Sequence, residues 1–297
     1  MELRDLRLFA AVAKTGSITK AAEQLGYVQS NVTARIQQLE NHLKTPLFYR
    51  HSRGVSLTPQ GNMLLKYAEQ ILHLANQAEQ AVSQSSVPRG PLRIGAMETT
   101  AAVRLPALMA AFHRSCPEVD LTLRTGPTEE LLHLVLDYQL DGAFVAGPVN
   151  HPELEQETIL EENLVFIAGR EINHPFSADI ARTLLVFRSG CSYRARLEQW
   201  VRARGMLPVK IMEFGTLEAI LGCVEAGMGI SLVPASVIQH YHGKGMHQGL
   251  WVQPLEENDG RVETLFVRRR DALMTPALHH FLILCRELFL NQHVKSI

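Results

Sequence analysis

The chain has only four cysteines in 297 residues (Cys116, Cys191, Cys223 and Cys285), scattered and without a CxxC pair. That spacing excludes a disulfide scaffold and the usual thiolate metal sites. Proline is also scarce, at 14 residues, while hydrophobic residues reach 46%, which excludes a collagen-like or disordered chain. No apolar stretch approaches the ~18 residues of a membrane span. The start, Met1-Glu2-Leu3-Arg4-Asp5-Leu6-Arg7, lacks an apolar signal core, so a reducing cytoplasm is the expected compartment and no membrane is expected as a partner. GxSxG, HExxH, GxGxxG and Walker A patterns are absent, and no His–Cys or His–Ser pairing stands out. No catalytic residue, cofactor or metal set is therefore expected.

Excess charge is missing too, with 29 Lys+Arg against 30 Asp+Glu, which excludes a uniformly basic nucleic-acid coat. The balance hides a split. Residues 1–89 hold ten basic and six acidic side chains, leaving 19 basic and 24 acidic for 90–297, so the parts carry +4 and −5. A basic head on an acidic body points to one module for a polyanion and another for a different task. The length also exceeds the roughly 250 residues at which one core stops growing, so at least two domains are expected.

In the head, Leu3, Leu6, Phe9 and Val12 recur at helical spacing until Gly16. Ser17 stands as an N-cap before a second short helix with Ile18, Ala21, Ala22 and Leu25, and Gly26-Tyr27 breaks it. Val32, Ile36, Leu39 and Leu43 predict a third helix whose other face carries Gln29, Ser30, Asn31, Thr33 and Arg35. Two short helices around a glycine turn fit helix-turn-helix geometry, and those side chains can read base edges: Gln and Asn on adenine, Arg on guanine, Thr through hydroxyl or methyl. The stretch from Phe48 to Leu57 predicts a wing whose Arg50 and Arg53 approach phosphates or the minor groove. By periodicity alone, a plain three-helix bundle with a solvated polar face fits as well.

The runs Leu8-Phe9-Ala10-Ala11-Val12-Ala13, Gly16-Ser17-Ile18-Thr19-Lys20-Ala21-Ala22-Glu23-Gln24-Leu25, Gln29-Ser30-Asn31-Val32-Thr33-Ala34-Arg35-Ile36, Pro46-Leu47-Phe48-Tyr49-Arg50 and Leu57-Thr58-Pro59-Gln60-Gly61 resemble the head of LysR-type transcriptional regulators in order and spacing. The family often has Pro where Ser30 stands and Arg where Ala34 stands, so its base contacts carry over to Gln29, Ser30 and Thr33 more directly than to Arg35, which could instead face phosphate or pack inward. The resemblance implies a winged helix-turn-helix over 1–58, a linker helix and hinge over 59–89, and an effector-binding domain over 90–297. It also implies promoter DNA, RNA polymerase, a small-molecule effector and a second copy of the chain (dimer, with tetramers common) as partners.

Thr58 caps a run that opens with Pro59 and holds no further proline to about Ser83, with Leu65, Ala68, Leu72, Ala75 and Val82 on a heptad seam widened by Leu64, Ile71 and Ala78. The expected partner of that seam is the same helix of another copy; the alternative is the head's own core.

The body alternates apolar runs with helical segments, an α/β pattern. Strands are expected at 92–96, 119–124, 142–146, 164–168, 184–187, 209–214, 230–233 and 263–268, with helices at about 100–115, 128–137, 192–204, 216–226 and 275–290. Pro117–Leu123 and Glu225–Pro234 resemble the family's effector domain, which is similar to periplasmic binding proteins. Two lobes are implied, one from 90–161 and 265–297, the other from 162–264. Ligands of open α/β sheets sit beyond strand C-termini, facing helix N-termini. That rule names the loops 97–100, 125–128, 189–194 and 215–216, and within them Glu98, Thr99, Thr100, Thr128, Ser192, Arg194 and Thr216 as candidate effector contacts. The hydroxyls and Arg194 favour a carboxylate, Glu98 an amine; each Thr alone could equally be an N-cap. Cys191, ahead of an expected helix and near Arg194 and Arg196, which are expected to lower its pKa, is a candidate redox thiol, and some members of the resembled family use cysteines here; plain burial is the alternative. His240, His242 and His247 read as a polar loop able to meet a metal, and Arg268-Arg269-Arg270 as a solvated turn.

Overall fold

A computed structural model describes residues 1–52, 54–82, 87–170, 183–206, 210–255 and 260–293. The chain divides into two compact units, Met1–Ser85 and Ser86–Ile297.

In the first unit, α1 (Leu3–Thr15), α2 (Ile18–Leu25) and α3 (Gln29–Leu43) are followed by the hairpin β1 (Phe48–His51) and β2 (Gly54–Leu57) and by the long α4 (Pro59–Val82). Gly16 and Gly26 end α1 and α2 in the left-handed region, where a side chain would be strained. Ser17 Oγ accepts from Lys20 N at 3.3 Å, capping α2. A Cβ on Gly54 would meet Gly16 O at 2.4 Å, so the wing can lie on the first turn only with glycine there. Phe9, Val12, Val32, Ile36, Leu39 and Leu47 form the core between the helices.

One expectation about α4 is corrected. Ala68 is wholly buried in the head's own core, and Leu64, Leu65, Ile71 and Leu72 pack against it. Facing outward are Met63, Tyr67 and Leu74, together with Val82 of the expected seam.

The second unit is built on a sheet ordered β10-β6-β11-β5-β3-β4. Its strands are β3 (Gly90–Ala96), β4 (Val119–Thr125), β5 (Gly142–Ala146), β6 (Leu154–Gly169), β10 (Leu250–Pro254) and β11 (Arg261–Arg269). The first half of β6 pairs with β11. Its second half pairs with β10 and with β9 (Ser231–Pro234). The parallel pair β7 (Thr183–Phe187) and β8 (Lys210–Phe214) joins through a bridge from Leu184 to Ile230. Two lobes result, with β6 and β11 passing through both and their register shifting between Thr264 and Leu265.

Lobe one packs α6 (Leu105–Ser115) and α12 (Pro276–His293) on one face of its strands and α7 (Thr128–Leu136) on the other. Lobe two does the same with α8 (Ser192–Ala203) and with α9 (Leu217–Glu225) and α10 (Ala235–Gly243). The single helix expected over 100–115 is two, α5 (Glu98–Val103) and α6, since Pro106 in the first turn of α6 forces a new start. The expected loop around His240 is α10, and two of the three arginines are committed rather than solvated: Arg268 pairs with Glu155, and Arg269 with Asp271 at 2.7 Å, over the Tyr138 ring, while Arg270 is exposed as expected.

Candidate DNA-reading face and effector cleft

In the head, α3 begins at Gln29 and its N-cap Val28 offers no side-chain cap, so the Gln29 and Ser30 N–H groups stay open to an acceptor. Gln29, Ser30 and Asn31 are exposed on its first turn. Thr33 donates its hydroxyl to Gln29 O at 2.9 Å, leaving its methyl and an oxygen lone pair outward. Val28 itself is 72% exposed, a β-branched apolar surface that sequence reasoning passed over because it precedes the polar run.

Arg35 departs from the base-reading set. Its Nη1 lies 3.3 Å from Asp5 Oδ1 and 3.8 Å from Glu2 Oε2, so its charge ties α3 to the start of α1. Arg50 stays half-exposed beside Glu40 at 3.6 Å, while Glu40 Oε1 accepts from Leu47 N and Phe48 N and anchors the root of the wing. Arg53 lies outside the described residues.

In the second unit a cleft of about 430 Å³ opens between the lobes. Glu98, Thr99, Thr128 and Cys191 line it, as the strand-end rule expected. Met97 and Tyr193, inside the loops that the rule named, line it too, while Phe187, Arg188 and Phe214 were missed. Arg188 sits one residue before the loop that the rule named, at the end of β7, where its exposure and charge are the signal. Glu129 N reaches across to Gly190 O at 3.4 Å, so the lobes touch at the rim.

The helix starts are uneven. The N-cap positions of α7 and α8, Pro127 and Cys191, make no side-chain cap, whereas Thr216 caps α9 by accepting from Ala219 N at 3.3 Å. Thr99 Oγ1 is buried with no hydrogen-bond partner; the Tyr193 hydroxyl feels it without the geometry of a hydrogen bond. Thr128 Oγ1 accepts from Ala146 N at 3.3 Å.

Thr100 is buried within α5 and, with Ser192 and Thr216, stands behind the lining rather than on it. Arg194 is corrected more sharply. Its Nε is 2.8 Å from Glu198 Oε1 and its Nη1 3.1 Å from Glu213 Oε1, so no free fork faces the cleft.

Residues 3–62 match the family described as bacterial regulatory helix-turn-helix protein, lysR family, and residues 85–290 match the LysR substrate binding domain. The chain belongs to the LysR family. It is a DNA-binding transcriptional regulator with an effector-binding domain. It is 50% identical to the HTH-type transcriptional regulator GltR of Bacillus subtilis (strain 168), covering 97% of both chains. It is 45% identical to the HTH-type transcriptional regulator CzcR of Bacillus anthracis over the full length of both. Among solved structures it resembles full-length CbnR complexed with its target DNA, at 26% identity and a TM-score of 0.67, over 97% of this chain and 99% of that one. Among the described residues, no helix is long and apolar enough to cross a membrane.

Two further expectations change in this LysR regulator. Arg194 and Arg196 were expected to lower the Cys191 thiol pKa. Burial instead pushes it up, outweighing the Tyr193 and Arg194 amides and a guanidinium already matched by two glutamates. The histidine stretch does have a carboxylate beside it. His247 Nδ1 donates to Glu225 Oε2 at 2.7 Å and His242 Nε2 to His247 O at 2.9 Å. Those nitrogens are spent on hydrogen bonds, and no metal-holding cluster occurs among the described residues.

Proposed function

We propose that this regulator reads promoter DNA as a dimer through α3 and responds to a small polar effector seated between its lobes. Gln29, Ser30, Asn31 and Thr33 would meet base edges, with Val28 placed for a thymine methyl. Arg50 and Arg53 would meet phosphates, and Arg35 would hold α3 in place. The outward stripe of Met63, Tyr67 and Leu74 on α4 supports pairing with a second copy, since an apolar stripe of that kind is normally covered. Boundaries near 58, 89 and 161/264, a cytoplasmic setting and contact with RNA polymerase complete the reading.

The observation that carries the effector site is the buried, unpartnered Thr99 hydroxyl beside the start of α7, whose N-cap Pro127 offers no side-chain cap. Open N–H groups and a spare hydroxyl are what a carboxylate needs. Glu98, Thr99 and Thr128 would touch the effector, with Thr100, Ser192 and Thr216 shaping the loops behind them. Binding can change the placement of the heads only through a difference in affinity for two arrangements of the lobes. Thermal unfolding of the full-length protein against small carboxylates, amino acids and amines tests this. A ligand at a hundredfold its dissociation constant adds about 2.7 kcal/mol, and that shift is expected to vanish in Thr128→Val. A shift that persists in that variant places the ligand elsewhere.

A further inference from the structure

The cleft presents two opposed charges, one from each lobe. Glu98 opens α5 after β3, and Arg188 follows β7. Among the described residues neither has an ion-pair partner, in contrast to the charges around them. Arg194 is held by Glu198 and Glu213, Arg124 by Glu130 at 2.9 Å, and Glu162 by Arg104 at 3.0 Å. These neighbouring charges are neutralised among themselves, while Arg188 and Glu98 on the lining are left to a ligand, with Glu129, among the described residues, a second unpaired carboxylate at the rim beside Gly190.

A simple carboxylate accounts for Arg188, for the uncapped start of α7, and for the spare Thr99 hydroxyl. It does not account for Glu98, which would repel it. A simple amine fails at the other end for the same reason. The remaining wall is apolar, from Met97, Phe187 and Phe214.

We propose that the effector is a zwitterionic α-amino acid with an apolar side chain, its carboxylate held at Arg188 and the start of α7 and its ammonium at Glu98. This rests on the cleft being the effector site. It adds that recognition needs both charges on one molecule, so that neither the deaminated acid nor the decarboxylated amine replaces it.

Calorimetric titration of the full-length protein tests it with matched sets covering the apolar amino acids. Examples are L-phenylalanine, 3-phenylpropanoate and 2-phenylethylamine, and L-leucine, 4-methylpentanoate and 3-methylbutylamine. At least one amino acid is expected to bind about tenfold or more tightly than both of its analogues, the size of one charge-assisted contact. Glu98→Gln should abolish the advantage over the acid while leaving the acid's own affinity, and Arg188→Gln should abolish the advantage over the amine. Both positions are part-exposed or exposed, so unliganded melting should be unchanged, which checks folding.

An acid that binds as tightly as its amino acid, with binding lost in Thr128→Val, overturns the zwitterion and keeps the cleft. An amino-acid advantage that survives Glu98→Gln overturns the assignment of Glu98. Failure of every apolar amino acid overturns the proposal outright, and failure of the acids and amines as well removes the support for the cleft.

Discussion

Arg35, on the third helix of the head, reaches Asp5 at the start of the first, with Nη1 3.3 Å from Oδ1. Asp5 is only 13% exposed, so the pair fixes the angle at which α3 is presented. Arg35→Ala leaves that carboxylate without its cation and is expected to cost about 1–2 kcal/mol of head stability. Urea unfolding reads the loss. DNA affinity should fall alike on preferred and random duplexes, and a loss confined to preferred DNA would return Arg35 to the base-reading set.

Cys191 is expected to be a slow thiol. Burial raises its pKa, so at neutral pH the protonated form dominates more than in an ordinary cysteine, and thiolate gathers only as pH rises beyond the usual range. Alkylation by iodoacetamide at pH 7.4, followed by mass spectrometry, should be slower than for free cysteine. Cys191→Ser should leave the peroxide response of DNA binding unchanged. Fast labelling would restore the redox reading.

The elements were largely legible from apolar spacing, and the exceptions have physical causes. A heptad stripe looks the same whether it faces its own domain or a second copy, which is why Leu65 and Ala68 were assigned to the wrong partner. In α10, Val237, Ile238 and Tyr241 carry a helical pattern, but the neighbouring histidines made the stretch look like a loop. β10 was passed over because its burial falls off from Leu250 to exposed Gln253 and Pro254. In the cleft, the strand-end rule found Glu98, Thr99 and Thr128 because they follow their strands directly. Arg194 could not be placed in the same way: Glu198 is one turn away, but Glu213 arrives on a different strand that only the fold brings near.

Tyr67 lies 58% exposed on the outer stripe of α4, so replacing it should scarcely disturb the head itself. If the stripe is the dimer seam, Tyr67→Glu buries a charge there. Sedimentation is expected to show a shift toward monomer, with preference for two correctly spaced half-sites lost. An unchanged dimer would place the seam elsewhere.

The His247 ring and the Gly249 amide hold the Glu225 carboxyl below its ordinary value of 4.5. A depressed carboxylate contributes stability that is complete above that value and is lost as pH falls through the folded one. The melting temperature of Glu225→Gln should therefore lie below that of the native chain near pH 6, and the gap should close as pH drops below about 4.5 toward 3. A gap independent of pH would mean that Glu225 contributes by packing rather than by charge.

The central claim, that α3 reads bases through its first turn, is tested most directly by selecting duplexes from a random pool at one fixed salt concentration. The native chain should enrich an interrupted inverted repeat with half-sites about one helical turn, or a multiple of it, apart. Gln29→Ala should relax one position in each half-site, by about 1–3 kcal/mol, and leave the spacing intact. Identical enrichment by both proteins, or a loss spread evenly over all sequences, would contradict it.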